Sequence, residues 1–119
     1  MSTKIYEYKS CGTCVKALKF LSANNIDFEK IAIREQPPTK DELLKMIEIY
    51  DGDTKKLFNT SGKDYRAQKL SGKLPNMSVD QQIDLLMTNG NLVKRPFVIT
   101  ENSGIVGFKE DNWKKLFKL

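Results

Sequence analysis

The two cysteines of this 119-residue chain stand three positions apart, in Cys11-Gly12-Thr13-Cys14. Two thiols at that spacing can do chemistry that neither does alone. One attacks a disulfide as its thiolate; the other, one helical turn away, resolves the mixed disulfide by closing an internal bond. An ordinary thiol is only about 3% ionised at pH 7. Roughly 2 kcal/mol of stabilisation, from free helix N–H groups plus one nearby cation, raises that fraction to about half. The sequence contains no histidine, so the cation has to be a lysine or an arginine.

Such a pair needs a frame. Lys4-Ile5-Tyr6-Glu7-Tyr8 alternates and is rich in β-formers, which predicts a strand, and Val15 to Asn24 carries helical spacing. The pair therefore falls where a strand turns into a helix. Cys14 shares the apolar stripe of Ala17, Leu18 and Leu21 and is expected to point inward, leaving Cys11 exposed at the helix mouth as the nucleophile. A C-x-x-C beside a βαβ pattern is the sign of redox chemistry in the thioredoxin manner. The alternative is two unrelated cysteines, with Cys14 an inert buried one.

Asp27 to Ile33 reads as the second strand, broken by Arg34-Glu35-Gln36-Pro37-Pro38. Thr39 and Glu42 form a capping box for a helix buried through Leu43, Met46, Ile47 and Tyr50 and ended by Asp51-Gly52-Asp53. Thr54 to Phe58 is a short further helix, Asn59 to Gly62 a loop, Lys63 to Lys69 weakly helical, and Gly72 to Pro75 a break. Ser78 and Gln81 cap a helix buried through Ile83, Leu86 and Met87; Gly90 is expected to end it as a left-handed C′ residue. Phe97 to Thr100 and Gly104 to Phe108 read as strands around a Glu101-Asn102-Ser103 turn, and Asn112 to Leu119 as a helix burying Trp113, Leu116 and Phe117. The order β-α-β, helical block, β-β-α predicts one α/β domain with a four-stranded mixed sheet. Its first two strands are parallel through a right-handed crossover, its last two antiparallel, and a helical insertion runs from about 39 to 89.

Composition narrows the function. No apolar run approaches the roughly 18 residues of a membrane span, and Met1-Ser2-Thr3-Lys4 leads directly into the first strand. No membrane segment and no signal peptide are therefore expected, and the chain is assigned to the cytoplasm, where thiols stay reduced. Without histidine, and with one cysteine pair, a Cys/His zinc site cannot be completed, and Ser-His-Asp or Cys-His catalysis is excluded. The net charge is +5, from 20 basic and 15 acidic side chains, and residues 53 to 75 carry six of the basic and two of the acidic ones. Lysines scattered over solvated faces is the plainer reading of that excess, an anion-facing rim the other. Basic and acidic residues are interspersed, so no nucleic-acid partner is expected.

Lys94-Arg95-Pro96-Phe97 opens the third strand, and Pro96, which has no N–H to give a ladder, belongs at its entry. Taken alone, Arg95 reads as a surface ion-pair residue.

Four segments together resemble the arsenate reductase (ArsC)/Spx family of thioredoxin-fold proteins: Tyr8 to Cys14, Gln36 to Leu43, Leu57 to Gly62 and Leu92 to Pro96. The likeness spans nearly the whole chain, and the run Gly107 to Asp111 is most similar to a small branch carrying arsenate-reductase names. The resemblance implies a thioredoxin-like fold, a cis Pro96 opposite the mouth of the first helix, Cys11 as catalytic cysteine, and Arg95 beside it. Backbone N–H groups of Gly12, Thr13 and Cys14 would cradle negative charge. Asn59 stands where ArsC-type reductases carry the first of two further oxyanion-holding arginines. Phe108 and Lys109 lie near the second, and Lys109 offers only a point charge there. Cys14 replaces the serine usual in glutathione-coupled reductases, which points to an internal disulfide.

The expected protein is a thiol–disulfide oxidoreductase with Cys11, Cys14 and Arg95 catalytic, and Gly12, Thr13, Asn59, Pro96 and Lys109 contacting substrate. It would bind no cofactor or metal, act on a small-molecule or protein disulfide, and draw electrons from glutathione, a glutaredoxin or a thioredoxin. The alternative is an Spx-type redox-sensing regulator binding the RNA polymerase α subunit. Asp51-Gly52-Asp53 resembles the region Spx uses for that partner, although glycine after a helix is also ordinary capping. Spx chains continue past the last helix, whereas this sequence stops at Leu119.

Overall fold

The computed structural model describes residues 3–119; Met1 and Ser2, part of the basis for expecting no leader, lie outside the described residues. β1 (Thr3–Glu7) runs into α1 (Gly12–Ala23) and returns through β2 (Glu29–Ala32). A helical block follows: α2 (Lys40–Ile49), a 3₁₀ turn (Thr54–Leu57), α3 (Lys63–Ala67), α4 (Leu70–Lys73), a second 3₁₀ turn (Leu74–Asn76) and α5 (Val79–Thr88). A third turn (Gly90–Leu92) leads to β3 (Phe97–Thr100), β4 (Gly104–Val106) and α6 (Glu110–Leu116). The sheet order is β2-β1-β3-β4, with β1 parallel to β2 and antiparallel to β3, and β4 antiparallel to β3. This is the expected thioredoxin-like skeleton.

Period-two alternation in the central strands sends neighbouring side chains to opposite cores. Tyr6, Phe97 and Ile99 face the helical block and pack with Leu43, Met46, Ile83 and Leu86. Ile5 and Val98 face α1 and α6, against Ala17, Leu21 and Trp113. Both capping boxes form as read, on Thr39/Glu42 and Ser78/Gln81. The first does more than start α2. Glu42 also accepts a hydrogen bond from the Tyr6 hydroxyl and pairs with Lys4 at 3.5 Å, tying that helix end to β1. Among the described residues no helix is long and apolar enough to cross a membrane.

Several local expectations are corrected. The Gly72 to Pro75 break is instead helical: Gly72 lies within α4, and Pro75 sits in the first turn of the following 3₁₀ segment, where a missing N–H costs nothing. Met87 is exposed, and Ile47, Tyr50, Leu116 and Phe117 are only half-buried, because those helices offer the core a narrower stripe than their apolar residues span. β4 stops at Val106, since Gly107 turns the chain with φ +73°.

Gly90 is not in the left-handed region; those glycines are Gly52 and Gly107. Its reason for being glycine is contact. A Cβ at Gly90 would lie 2.0 Å from the Ile33 carbonyl oxygen, so only glycine lets this turn rest against the chain leaving β2. Gly90→Ala is therefore expected to destabilise the protein by about 2 kcal/mol or more, as backbone has to move. A lowered urea midpoint with unchanged m-value would register this; an unchanged midpoint would show that the turn moves freely.

Candidate functional site

Cys11 is the N-cap of α1, with extended backbone (φ −85°, ψ 114°), and its Sγ accepts a hydrogen bond from the Cys14 N–H at 3.4 Å. The Cys11 N–H is taken by the Tyr8 carbonyl at 2.9 Å, which folds the strand end into the helix start. Cys11 is half-buried and Cys14 fully buried, and both are free thiols. The inward and outward assignment read from the stripe thus holds. Burial is the main reason the Cys14 thiol is pushed up to about 12, and its hydrogen bond to Cys11 and the Cys11 charge add to the rise. A hydrogen bond from the Tyr8 backbone and the charge of Arg95 pull the other way.

Arg95 reaches this place because its segment is clamped. The Asn59 N–H donates to the Leu92 carbonyl at 2.7 Å, the Lys94 N–H donates to the Leu57 carbonyl at 2.8 Å, and Phe58 and Val93 form an isolated antiparallel bridge. Further back, Asp64 on α3 accepts from the side chains of Asn89 and Asn91 at 3.0 and 3.3 Å. These hydrogen bonds hold the Asp64 carboxyl below the usual range. The Arg95–Pro96 peptide is cis and Pro96 is buried. The Arg95 guanidinium lies 5.2 Å from the centre of the Tyr8 ring. Among the described residues the ion pairs are Lys4–Glu42 and Lys114–Glu110, so Arg95 is not the surface ion-pair residue it resembled in isolation.

Two contributors were not singled out from sequence. Tyr8 stacks with Arg95 and also with Arg34, whose guanidinium is 4.8 Å from the ring centre. A hydrogen bond with Ser10, then the Arg34 charge, holds the Tyr8 phenol below its ordinary value. Arg34 follows β2, which is parallel to β1, so parallel pairing brings it to the sheet end that carries Cys11. The signal was the parallel register; a residue counted only as part of a strand-breaking run lands on the Tyr8 ring that Arg95 also stacks on.

A cleft of about 710 Å³ has Thr13 and Arg95 on its wall; it reaches the Cys11–Cys14 turn at Thr13, and neither cysteine lines it. Its cations are Lys55, Lys56, Lys94, Arg95 and Lys109 against one acid, Asp53, over an apolar floor that includes Ile105 and Phe108. Lys55 and Lys56 belong to the basic stretch noted in the sequence; Lys63, Arg66, Lys69 and Lys73 do not line the cleft. That excess is therefore part rim and part solvated face. Of the sequence candidates, Cys11, Gly12, Thr13 and Cys14 share one turn, the Arg95 charge acts on Cys14, and Pro96 is buried at the entry to β3; Thr13, Arg95 and Lys109, the N-cap residue of α6, stand on the cleft wall, and Gly12 and Pro96 do not. Asn59 does not line the cleft, and its side-chain amide donates to the Asn91 carbonyl at 3.4 Å. No group of three or more His, Cys, Asp or Glu that could hold a metal ion occurs among the described residues.

Comparison with known proteins adds four findings. The model of the ArsC family matches residues 6–116. The crystal structure of a putative ArsC family related protein from Bacteroides fragilis superposes with a TM-score of 0.90 at 48% identity, covering 98% of each chain. Among curated proteins, YusI of Bacillus subtilis, an uncharacterised protein, is 45% identical over 97% of this chain and 98% of its own length. The global transcriptional regulator Spx of Streptococcus pyogenes is 30% identical over 86% of this chain and 75% of its own.

Proposed function

The chain belongs to the ArsC family, and from that premise we propose that it is a thiol–disulfide oxidoreductase with Cys11 as nucleophile and Cys14 as resolving thiol. The observation that carries the reading is the layered pair of sulfurs. One is half-buried at a helix N-terminus, and the other is sealed directly beneath it and hydrogen-bonded to it. The Cys11 Sγ accepts from the Cys14 N–H, a contact that strengthens when sulfur carries charge. Arg95, braced by Tyr8, supplies the fixed cation, and Thr13 and Lys109 border the substrate.

Cys11 thiolate attacks one sulfur of the disulfide substrate, forming a mixed disulfide and releasing a thiolate that takes a proton from solvent. Cys14 then loses its proton and attacks the Cys11 sulfur, releasing the second substrate thiol and leaving a Cys11–Cys14 disulfide. Glutathione or a thioredoxin returns the two electrons, in the cytoplasm. Arsenate is not the proposed substrate. The Asn59 side chain is engaged with Asn91, and Lys109 cannot form the paired, planar contacts of an arginine.

The test is chemical. At pH 7.5 the reduced protein is expected to take one iodoacetamide label, on Cys11, because the Cys14 thiol, pushed up to about 12, is almost entirely protonated. Mixing with excess disulfide should instead leave no free thiol and a Cys11–Cys14 bond. Equal labelling of both sulfurs, or failure to form that bond, overturns the proposal. The 30% identity to Spx supports a second reading, a redox-sensing regulator that binds the RNA polymerase α subunit. It requires measurable binding to the C-terminal domain of α that differs between the reduced and oxidised chain.

A further inference from the structure

We infer that the cleft that meets the Cys11–Cys14 turn at Thr13 receives an acidic peptide segment flanking the disulfide of a protein substrate. This rests on the proposed thiol–disulfide activity and names the class of substrate it serves.

Size is the first argument. A tetrahedral oxyanion occupies a few water volumes, on the order of 100 Å³, whereas the cleft measures about 710 Å³. It falls in the range of sites that hold drug-sized or peptidic ligands. Charge is the second. Lys55 and Lys56 stand on the 3₁₀ turn after α2, Lys94 and Arg95 on the approach to β3, and Lys109 at the start of α6. Three separate parts of the chain thus contribute cations to one concavity, with Asp53 the lone acid. None of the five is in either ion pair found among the described residues. A concave surface of one sign concentrates ligands of the other and speeds their arrival by a factor of about 10 to 10³.

The third argument concerns what such a ligand must carry. It has to bring sulfur to Cys11, which excludes nucleic acid, and negative charge to the lysines. Backbone pairing along the cleft is hindered, because the outward N–H of Val106 on edge strand β4 is already taken by the Tyr50 hydroxyl at 3.1 Å. Recognition therefore falls to side-chain charge, with Ile105 and Phe108 giving apolar contact beneath.

Three peptides with one intramolecular disulfide, flanked by glutamates, glutamines or lysines, test this against the pre-reduced protein in single turnover. Each reaction moves two electrons from the Cys11–Cys14 dithiol to the peptide, so no outside reductant enters. At low ionic strength the glutamate peptide should react about tenfold or more faster than the lysine peptide. The ratio should fall towards one near 1 M salt. Lys55→Glu/Lys56→Glu leaves Lys94, Arg95 and Lys109 against Asp53 and the two new carboxylates, and should bring that variant's ratio close to one. Rates within twofold of one another for all three peptides would overturn the cleft assignment while leaving the oxidoreductase intact. If no peptide reacts, the oxidoreductase reading fails, and the cleft is judged by binding alone. In that arm a cysteine-free glutamate peptide is titrated into Cys11→Ser/Cys14→Ser. Salt-sensitive NMR shifts at Lys55, Lys56 and Lys109 support the inference, and their absence overturns it.

Discussion

Cys11→Ser should lose disulfide exchange by a factor on the order of 10³ or more, down to the rate of the reaction without protein, because a hydroxyl oxygen cannot form the mixed disulfide. Cys14→Ser should behave in the opposite way. Its Cys11 still attacks, but nothing beneath it resolves the product, so one substrate thiol stays bound to the protein. Mass spectrometry distinguishes the two outcomes directly, as an unmodified chain for the first variant and a stoichiometric adduct on Cys11 for the second. An adduct on Cys14 in the Cys11→Ser chain would reverse the roles and sink the assignment, since Cys14 has no exposed surface in the fold.

The same geometry sets the pH dependence of the second step. In the reduced protein the Cys14 thiol is pushed up to about 12, chiefly by burial, with the hydrogen bond to Cys11 and the Cys11 charge adding to the rise. Once Cys11 is bound in a mixed disulfide its charge is gone. Burial remains, opposed by the Tyr8 backbone and Arg95. The raised value means the reactive thiolate is the minor form at neutral pH, and its fraction grows with pH up to the pKa. Resolution should therefore quicken by up to about tenfold per unit from pH 7 to pH 9. Stopped-flow release of the second thiol measures this, and a flat profile would show that proton loss from Cys14 does not limit the step.

Much of this site was legible in the sequence because its parts are local. Cys11 and Cys14 are one turn apart, and the apolar stripe through Ala17 and Leu21 is enough to say which points inward. The parallel pairing of the first two strands and the antiparallel final hairpin followed from the connections, and both capping boxes from four-residue patterns. What could not be read was long-range. Arg34 joins the site through the register of β2 on β1, and Lys55, Lys56 and Lys109 converge only when the 3₁₀ turn and the start of α6 meet across the cleft. Gly90 had a local explanation, helix termination, but its role is set by the Ile33 carbonyl far away in sequence. Arg95 lay between these cases. Its neighbour Pro96 marked a strand entry, but its approach to the thiols depends on clamping to Leu57 and Asn59.

Trp113→Ala should be the most damaging change outside the cysteine pair, at about 3–5 kcal/mol. The indole is fully buried between α6 and the sheet. It meets Phe20 of α1 edge-on at 5.9 Å and Phe108 at 5.0 Å, and its Nε1–H donates to the Gly107 carbonyl at 3.0 Å. Removing it opens a large apolar void and leaves a buried carbonyl without its donor, which adds to the cost. A domain with 5–15 kcal/mol of total stability loses a large fraction of it, and the melting temperature should fall by roughly 10–20 °C. Trp113→Phe separates the two contributions, keeping most of the ring packing while deleting the hydrogen bond, and should cost about 1–3 kcal/mol. Because Phe108 floors the cleft and Phe20 anchors α1, the loss extends beyond stability. Circular dichroism should report the lower melting point, and at a temperature where the alanine variant is still folded its preference among charged disulfide peptides should weaken. Retention of the wild-type preference would mean that Phe108 keeps its place without the indole, and that α6 supports the fold but not the cleft.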